Sequence, residues 1–180
     1  FRGLRRKVFK LNKREKKAVY LEALAQLNKL YDKGIVPTHV DSHHHYHTEW
    51  AIGKQIINIA RLYSIGSVRL SRNCGENIGL LKRVYKYIYN SNLKLKGLAR
   101  VEAFASVNDV LAKGGLNVSS MEIMVHPGFD GYGELVDLST GENLSILIQQ
   151  IISVNPKVNL VDFKYFEGLK VKKNEAEDRG

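Results

Sequence analysis

The chain has 180 residues, 44% of them hydrophobic, which is enough to bury a core as one domain. It is short for a closed (β/α) barrel, for which about 250 residues are typical. The single cysteine, Cys74, excludes an internal disulfide and suits a reducing compartment. No apolar run approaches the roughly 20 residues of a membrane span, so we expect no membrane partner. The reducing compartment that the single cysteine suits predicts a cytoplasmic location, although the sequence leaves a secretion signal open.

The formal net charge of +10 raises the question of a nucleic-acid partner. Residues 1–17 contain nine lysines or arginines and one glutamate, so they carry +8 of this charge, and the rest of the chain carries +2. A local basic segment of this kind can act as a phosphate-binding arm. We instead interpret residues 1–17 as a solvated loop followed by the start of a helix. This interpretation argues against a nucleic-acid partner.

Helical and strand-like patterns alternate along the chain. Apolar residues spaced three and four apart predict helices, and short β-branched runs predict strands. Alternation with short loops implies right-handed βαβ units and a mainly parallel sheet, and no boundary divides the chain into two domains. The predicted helices are residues 15–33, 50–63, 76–90, 106–113 and 141–154. The predicted strands are residues 35–40, 66–70, 95–101, 120–125 and 157–163.

A histidine-rich segment lies where the first predicted strand ends and the next helix begins. Residues 37–47 hold five of the six histidines within nine positions. Neutral imidazole binds transition metals, whereas protonated imidazoles repel each other, so this run favours a metal site. Along an extended chain His39, Asp41 and His43 share one face, which would combine a ligand with an acidic partner.

Two further residues at predicted strand ends are candidates for function. Arg69 can orient carboxylates or sugar hydroxyls, although a surface ion pair is an equally good interpretation. His126 follows the apolar run at residues 120–125 and precedes a Pro-Gly turn. A lone histidine before a turn is usually structural, but Glu122 behind it and the separate histidine-rich segment give a functional interpretation equal weight.

The two histidine motifs resemble those of a known family. Residues 37–47 (PTHVDSHHHYH) are similar to the signature of the YdjC/ChbG-like carbohydrate deacetylases, and residues 121–128 (MEIMVHPG) are similar to that family's downstream motif. The resemblance runs from about Lys16 to the end of the chain. It implies a distorted (β/α) barrel that uses a divalent metal, Mg or Zn, to remove acetyl groups from N-acetylated sugars or oligosaccharides.

The resemblance also implies roles for individual residues. His43 matches the family's metal ligand, and Asp41 and His126 match residues near the reaction centre, which we expect to be catalytic. In the implied mechanism a metal-bound water attacks the amide, a carboxylate takes the proton of the water, and His126 protonates the departing amine. The candidates for contact with the substrate are His45, His47 and Arg69.

This sequence departs from the family pattern in one respect. The family's amino-terminal strand with paired aspartates and a Gly-x-His strand supply other metal ligands, and neither is present here. We therefore expect an α/β fold, a partial (β/α) barrel with a mainly parallel sheet, forming one domain over residues 1–180 that lacks its amino-terminal strands. We also expect weak metal binding, and the strands before His43 and His126 to share one sheet.

Two other functions are compatible with these residues. Barrel-type metal-dependent phosphoesterases also use strand-end histidines, and activity on phosphate esters but not on acetylated sugars would favour that interpretation. A basic binding module would use residues 1–17 and the tyrosine-rich helix at residues 76–90, and its nucleic-acid affinity would fall with salt. The sequence leaves open whether the chain forms a homo-oligomer.

Overall fold

The computed structural model describes residues 8–75, 78–115 and 117–166. Residues 1–7 of the basic segment and the first two residues of the predicted helix at 76–90 lie outside this part. The helices are α1 Lys13–Tyr31, α2 Trp50–Leu62, α3 Leu80–Leu95, α4 Val107–Leu111 and α5 Leu144–Val154. The strands are β1 His39–Val40, β2 Ser67–Val68, β3 Ala103–Ser106, β4 Met121–Met124, β5 Pro127–Phe129 and β6 Leu135–Asp137. No helix in the described residues has the length and apolar composition needed to cross a bilayer.

The predicted helices form with shifted ends, and side-chain caps mark the starts of α1, α4 and α5. α1 begins two residues before its predicted start because Asn12 and Glu15 form a reciprocal capping box. The Asn12 side chain accepts from the Glu15 backbone N–H at 2.9 Å, and the Glu15 carboxylate accepts from the Asn12 N–H at 2.8 Å. Ser106 and Asp109 form the same arrangement at the start of α4.

Strand pairing is parallel in two of the three sheets of the described residues. β1 pairs with β2 and β3 pairs with β4, both in parallel, whereas β5 and β6 form an antiparallel hairpin. The fold is therefore mixed α/β with small parallel sheets, and the described strands close no barrel. The prediction that the strands before His43 and His126 share one sheet is wrong for the described residues. β1 pairs with β2 and β4 pairs with β3, and the two pairs form separate sheets.

Two predicted strands do not form. Residues 95–101 are wrong as a strand because α3 continues to Leu95 and ends in a left-handed turn at Gly97, which has φ +67. There Gly97 N donates to Lys94 O and Leu98 N donates to Leu93 O, each at 2.9 Å, as in a Schellman cap. Residues 157–163 also form no strand.

The chain divides into two compact units. The first comprises the described parts of Phe1–Ser71, Tyr87–Arg100 and Val161–Gly180, and it contains β1, β2 and the histidine-rich segment. The second comprises the described parts of Arg72–Lys86 and Val101–Leu160, and it contains β3 to β6 and His126. The first unit has a core cluster of Leu11, Val19, Ala51 and Ile52. The second has one of Val107, Leu144, Leu147 and Ile151. One domain over the whole chain stays a prediction.

Candidate active site

After β1, the histidine-rich segment turns sharply before α2 begins. His43–Thr48 is a 3₁₀ segment with a kink at His44 and His45, whose φ angles are +54 and +61. Residues other than glycine rarely adopt this left-handed conformation, and each instance costs on the order of 1–3 kcal/mol. His43, His44 and His45 are exposed, whereas His47 is buried. Strain of this kind persists where the surrounding contacts fix it, and it is common at functional sites.

Arg69 connects the histidine-rich segment to β2. Its side chain is 7% exposed, and its Nη1 donates to Asp41 Oδ2 at 2.5 Å. Its Nη2 lies 2.6 Å from His45 Nδ1 and 3.4 Å from the carbonyl oxygen of Ser42. Asp41 Oδ1 also accepts from the Ser42 backbone N–H. One guanidinium group therefore fixes the position of Asp41 and of the His45 ring.

His47 is an internal residue with 0% exposure. Its Nδ1 is hydrogen-bonded to Ser42 Oγ at 2.7 Å, and Ser42 Oγ also accepts from the His47 backbone N–H at 2.8 Å. Burial, followed by the charges of Arg69 and His45, lowers the pKa of His47 to about 3, and the nearby Arg69 backbone offsets this only in part. The ring is therefore neutral at physiological pH.

Two of the three predicted substrate-contact residues point into the protein. Arg69 contacts Asp41 and His45, and His47 contacts Ser42 inside the first unit. These contacts give Arg69 and His47 structural roles. Direct contact of either residue with a sugar stays a prediction. His45 is exposed, so a ligand can reach its ring.

The described residues do not complete a metal site. Within residues 8–75, 78–115 and 117–166, no three side chains of His, Cys, Asp or Glu converge as metal ligands would. The His43 ring lies against the His44 ring, with centroids 3.9 Å apart. His39 stacks on Phe163 at 4.1 Å, and burial lowers its pKa more than the nearby Asp41 raises it. These side chains thus fit a divalent ion only as part of a larger ligand set.

His126, in the second unit, has an acidic partner that the sequence analysis missed. Its side chain is 52% exposed, and its Nδ1 lies 3.7 Å from Asp137 Oδ1. The His126 backbone N–H donates to Asp137 Oδ2 at 3.2 Å. A carboxylate in this position can orient the ring and favour a hydrogen on Nδ1. The sequence contains one indication of this partner, an aspartate directly after the apolar pair Leu135 and Val136.

Asp137 is buried but remains an acceptor. Its side chain is 3% exposed, and Ser139 donates to Oδ1 from its backbone N at 2.7 Å and from its Oγ at 2.5 Å. Burial alone raises the pKa of this carboxyl, but the hydrogen bonds from Ser139 and from the His126 backbone outweigh it. The pKa of Asp137 therefore lies below its usual range, and the group is ionised beside His126.

Comparison with known proteins assigns the family. The profile of the family described as YdjC-like protein matches residues 1–171. The chain belongs to the YdjC-like family. This confirms the resemblance that the histidine motifs indicated.

Relatives of this YdjC-like chain carry a functional name. A protein from Clostridium beijerinckii named "Carbohydrate deacetylase" is 29% identical over 160 residues, covering 81% of this chain and 60% of that protein. A protein of the same name from Vibrio campbellii is 29% identical over 114 residues, covering 63% of this chain and 41% of that protein. The YdjC-like chain thus spans three-fifths or less of the length of these relatives. No solved structure matches it significantly.

Proposed function

We propose that this chain acts in carbohydrate deacetylation, the hydrolysis of the acetamide of an N-acetylated sugar or oligosaccharide. The observation that carries the proposal is the family match over residues 1–171, which includes an intact PTHVDSHHHYH segment. Relatives named "Carbohydrate deacetylase" support it. The parallel pairs β1–β2 and β3–β4 are compatible with a partial (β/α) barrel, which we include in the proposal.

The proposal includes a divalent metal ion, Mg or Zn, with His43 as one ligand. When bound, such an ion polarises an amide carbonyl and lowers the pKa of a coordinated water. Catalytic zinc sites typically use three protein ligands. Because the described residues bring no such set together, the proposal requires ligands in addition to His43.

Asp41 and His126 are the proposed catalytic residues. Asp41 is held by Arg69 and by the Ser42 N–H, so its carboxylate has a defined position from which to accept a proton or orient a ligand. His126 is exposed and is proposed to protonate the departing amine. Asp137 faces its Nδ1, which leaves Nε2 as the nitrogen that exchanges protons with the substrate.

Release of acetate tests the proposal. The protein that carries this sequence is incubated with N-acetylglucosamine oligosaccharides in the presence of Mg or Zn, and again after chelation. We expect acetate release that chelation abolishes. Hydrolysis of phosphate monoesters without acetate release would overturn the proposal in favour of a phosphoesterase. Acetate release that survives complete chelation would overturn the metal requirement alone.

A further inference from the structure

The contact between Arg69 and His45 defines which ring nitrogen of His45 carries hydrogen. We propose that Arg69 holds His45 as the neutral imidazole protonated at Nε2, and that this N–H donates a hydrogen bond to the acetyl oxygen of the substrate. The second part rests on the proposed deacetylation, whereas the first part stands on the contacts alone.

The argument for the first part is one of hydrogen-bond chemistry. An arginine guanidinium has five N–H donors and no acceptor, and it keeps its charge in proteins. Arg69 Nη2 lies 2.6 Å from His45 Nδ1, so Nδ1 must accept with its lone pair. A neutral imidazole has a single N–H, which is then on Nε2.

Arg69 is prevented from turning away from His45. Its backbone N–H donates to Val40 O at 2.9 Å, which aligns the residue with the end of β1. Its Nη1 is paired with Asp41, and its side chain is 7% exposed. Breaking this pair would leave the buried Arg69 cation without its ionised partner, which is unfavourable. The donor to His45 Nδ1 is therefore fixed.

The backbone of the segment places the His45 ring against Arg69. His45 has φ +61, its N–H donates to Ser42 O at 3.2 Å, and its carbonyl accepts from Thr48 Oγ1 at 2.8 Å. A residue in the extended or right-handed region would direct its side chain elsewhere. The strained backbone conformation and the contact with the Arg69 guanidinium therefore both fix the position of the His45 ring.

The fixed tautomer separates the role of His45 from that of its neighbour His43. A protonated Nε2 offers no lone pair, so His45 cannot bind a metal or accept a proton there. It can donate to an oxygen that becomes negative as water adds to an amide. Removing one donor of that kind typically lowers the rate about 10²–10³-fold. Arg69 is then a positioning residue that acts through His45.

Nitrogen NMR of the histidine rings tests the tautomer without any need for catalysis. In the 180-residue chain labelled with ¹⁵N-histidine, we expect His45 to show a protonated Nε2 and an unprotonated, hydrogen-bonded Nδ1. The His45→Gln variant assigns the signals. A protonated Nδ1 in the unmodified chain would overturn the proposal, and this measurement requires no Arg69 variant to fold.

The Arg69→Lys and Arg69→Gln variants then test the cause. In Arg69→Gln we expect the His45 ring to exchange between both neutral tautomers. In Arg69→Lys we expect the Nε2–H tautomer to be partly retained. An unchanged Nε2–H tautomer in Arg69→Gln would show that Arg69 does not fix it, which contradicts the proposal.

A matched pair of sugars tests the acceptor. N-acetylglucosamine should shift the His45 Nε2–H signal, and glucosamine, which lacks the acetyl group, should not. Equal shifts or no shift would overturn the donation to the acetyl oxygen.

Kinetics separate this inference from the proposed function. His45→Gln keeps an amide N–H near the Nε2 position, whereas the shorter side chain of His45→Asn places its amide near the Nδ1 position. His45→Gln should therefore retain more acetate release than His45→Asn. Equal activity of both variants and the unmodified protein would overturn the inference and leave deacetylation intact. Absence of acetate release from the unmodified protein would overturn the proposed function, while the nitrogen spectra still decide the tautomer.

Discussion

Tyr89 donates its hydroxyl hydrogen to the carbonyl oxygen of His47 at 2.7 Å, although the two residues are 42 positions apart in sequence. Gly53 of α2 lies against the same contact. A Cβ atom at Gly53 would come within 2.5 Å of His47 O and 3.0 Å of Tyr89 Cε2. The close approach of α2 to the end of the histidine-rich segment therefore requires glycine at this position.

Replacement of Gly53 by alanine should destabilise the protein. Alanine in a helix gains up to about 1 kcal/mol over glycine, but the overlap with His47 O forces a backbone shift, and overpacking typically costs about 1–3 kcal/mol. We expect a net loss, measured as a lower midpoint of chemical denaturation. Gly131→Ala is the control, because a Cβ there has no neighbour within 4 Å. Gly53→Ala with stability at or above that of the unmodified protein would contradict the close approach.

His47 should make the protein sensitive to mild acid. Its folded-state pKa of about 3 lies below the ordinary value of 6.5, so its stabilising effect is fully present above pH 6.5 and is lost as pH falls towards 3. Within this interval each pH unit should cost roughly 1.4 kcal/mol of unfolding free energy. Denaturation of the unmodified protein and of His47→Gln between pH 7 and 4 measures the effect. A difference between the two proteins that does not change with pH would show that His47 titrates normally.

Asp137 should stabilise the β5–β6 hairpin through its ionised form. Because its folded-state pKa is lowered, its contribution is present above the ordinary aspartate pKa near 4 and is lost as pH falls below that value. The Asp137→Asn variant should be less stable at neutral pH, and its deficit should shrink on acidification below about pH 4. Asp130→Asn is the control for an aspartate that also accepts backbone hydrogen bonds but is not paired with His126. A deficit that persists unchanged at low pH would show that shape rather than charge matters at Asp137.

Loss of His43 and loss of His126 should have different consequences in the active protein. His43→Ala should lower metal affinity and activity together, with partial recovery at high metal concentration. His126→Ala should leave metal binding nearly intact and lower turnover about 10²–10⁴-fold, the usual contribution of a positioned acid or base. It should also remove one limb of the pH–rate profile. Calorimetric metal titration beside kinetics distinguishes the two roles, and equal loss of metal in both variants would place His126 among the ligands.

Local sequence patterns predicted the helices well and the strands poorly. The apolar stripe of α2 and the capping residues of α1 act over a few neighbouring positions, so the sequence carries that information directly. Strands depend on partners that are distant in sequence. Residues 95–101 looked extended, but α3 continued into them until Gly97 ended it.

The site was predicted in its residue types more than in its contacts. The density of histidines at residues 37–47 was visible in the sequence, and so was the position of His126 before a turn. No sequence pattern indicated that His47 would be fully buried, because burial follows from packing beside α2 and Tyr89. Pairing of Arg69 with Asp41 depends on the parallel register of β1 and β2, which joins residues 28 positions apart.

The left-handed backbone at His44 and His45 has a consequence for protein engineering. Glycine and asparagine tolerate such φ angles better than histidine does. A library selected only for heat resistance should therefore accumulate glycine or asparagine at these two positions, in proportion to the strain relieved there. Selection that also demands turnover should keep histidine at position 45 and let position 44 drift, so the sequences that survive each regime would show which ring the proposed activity needs.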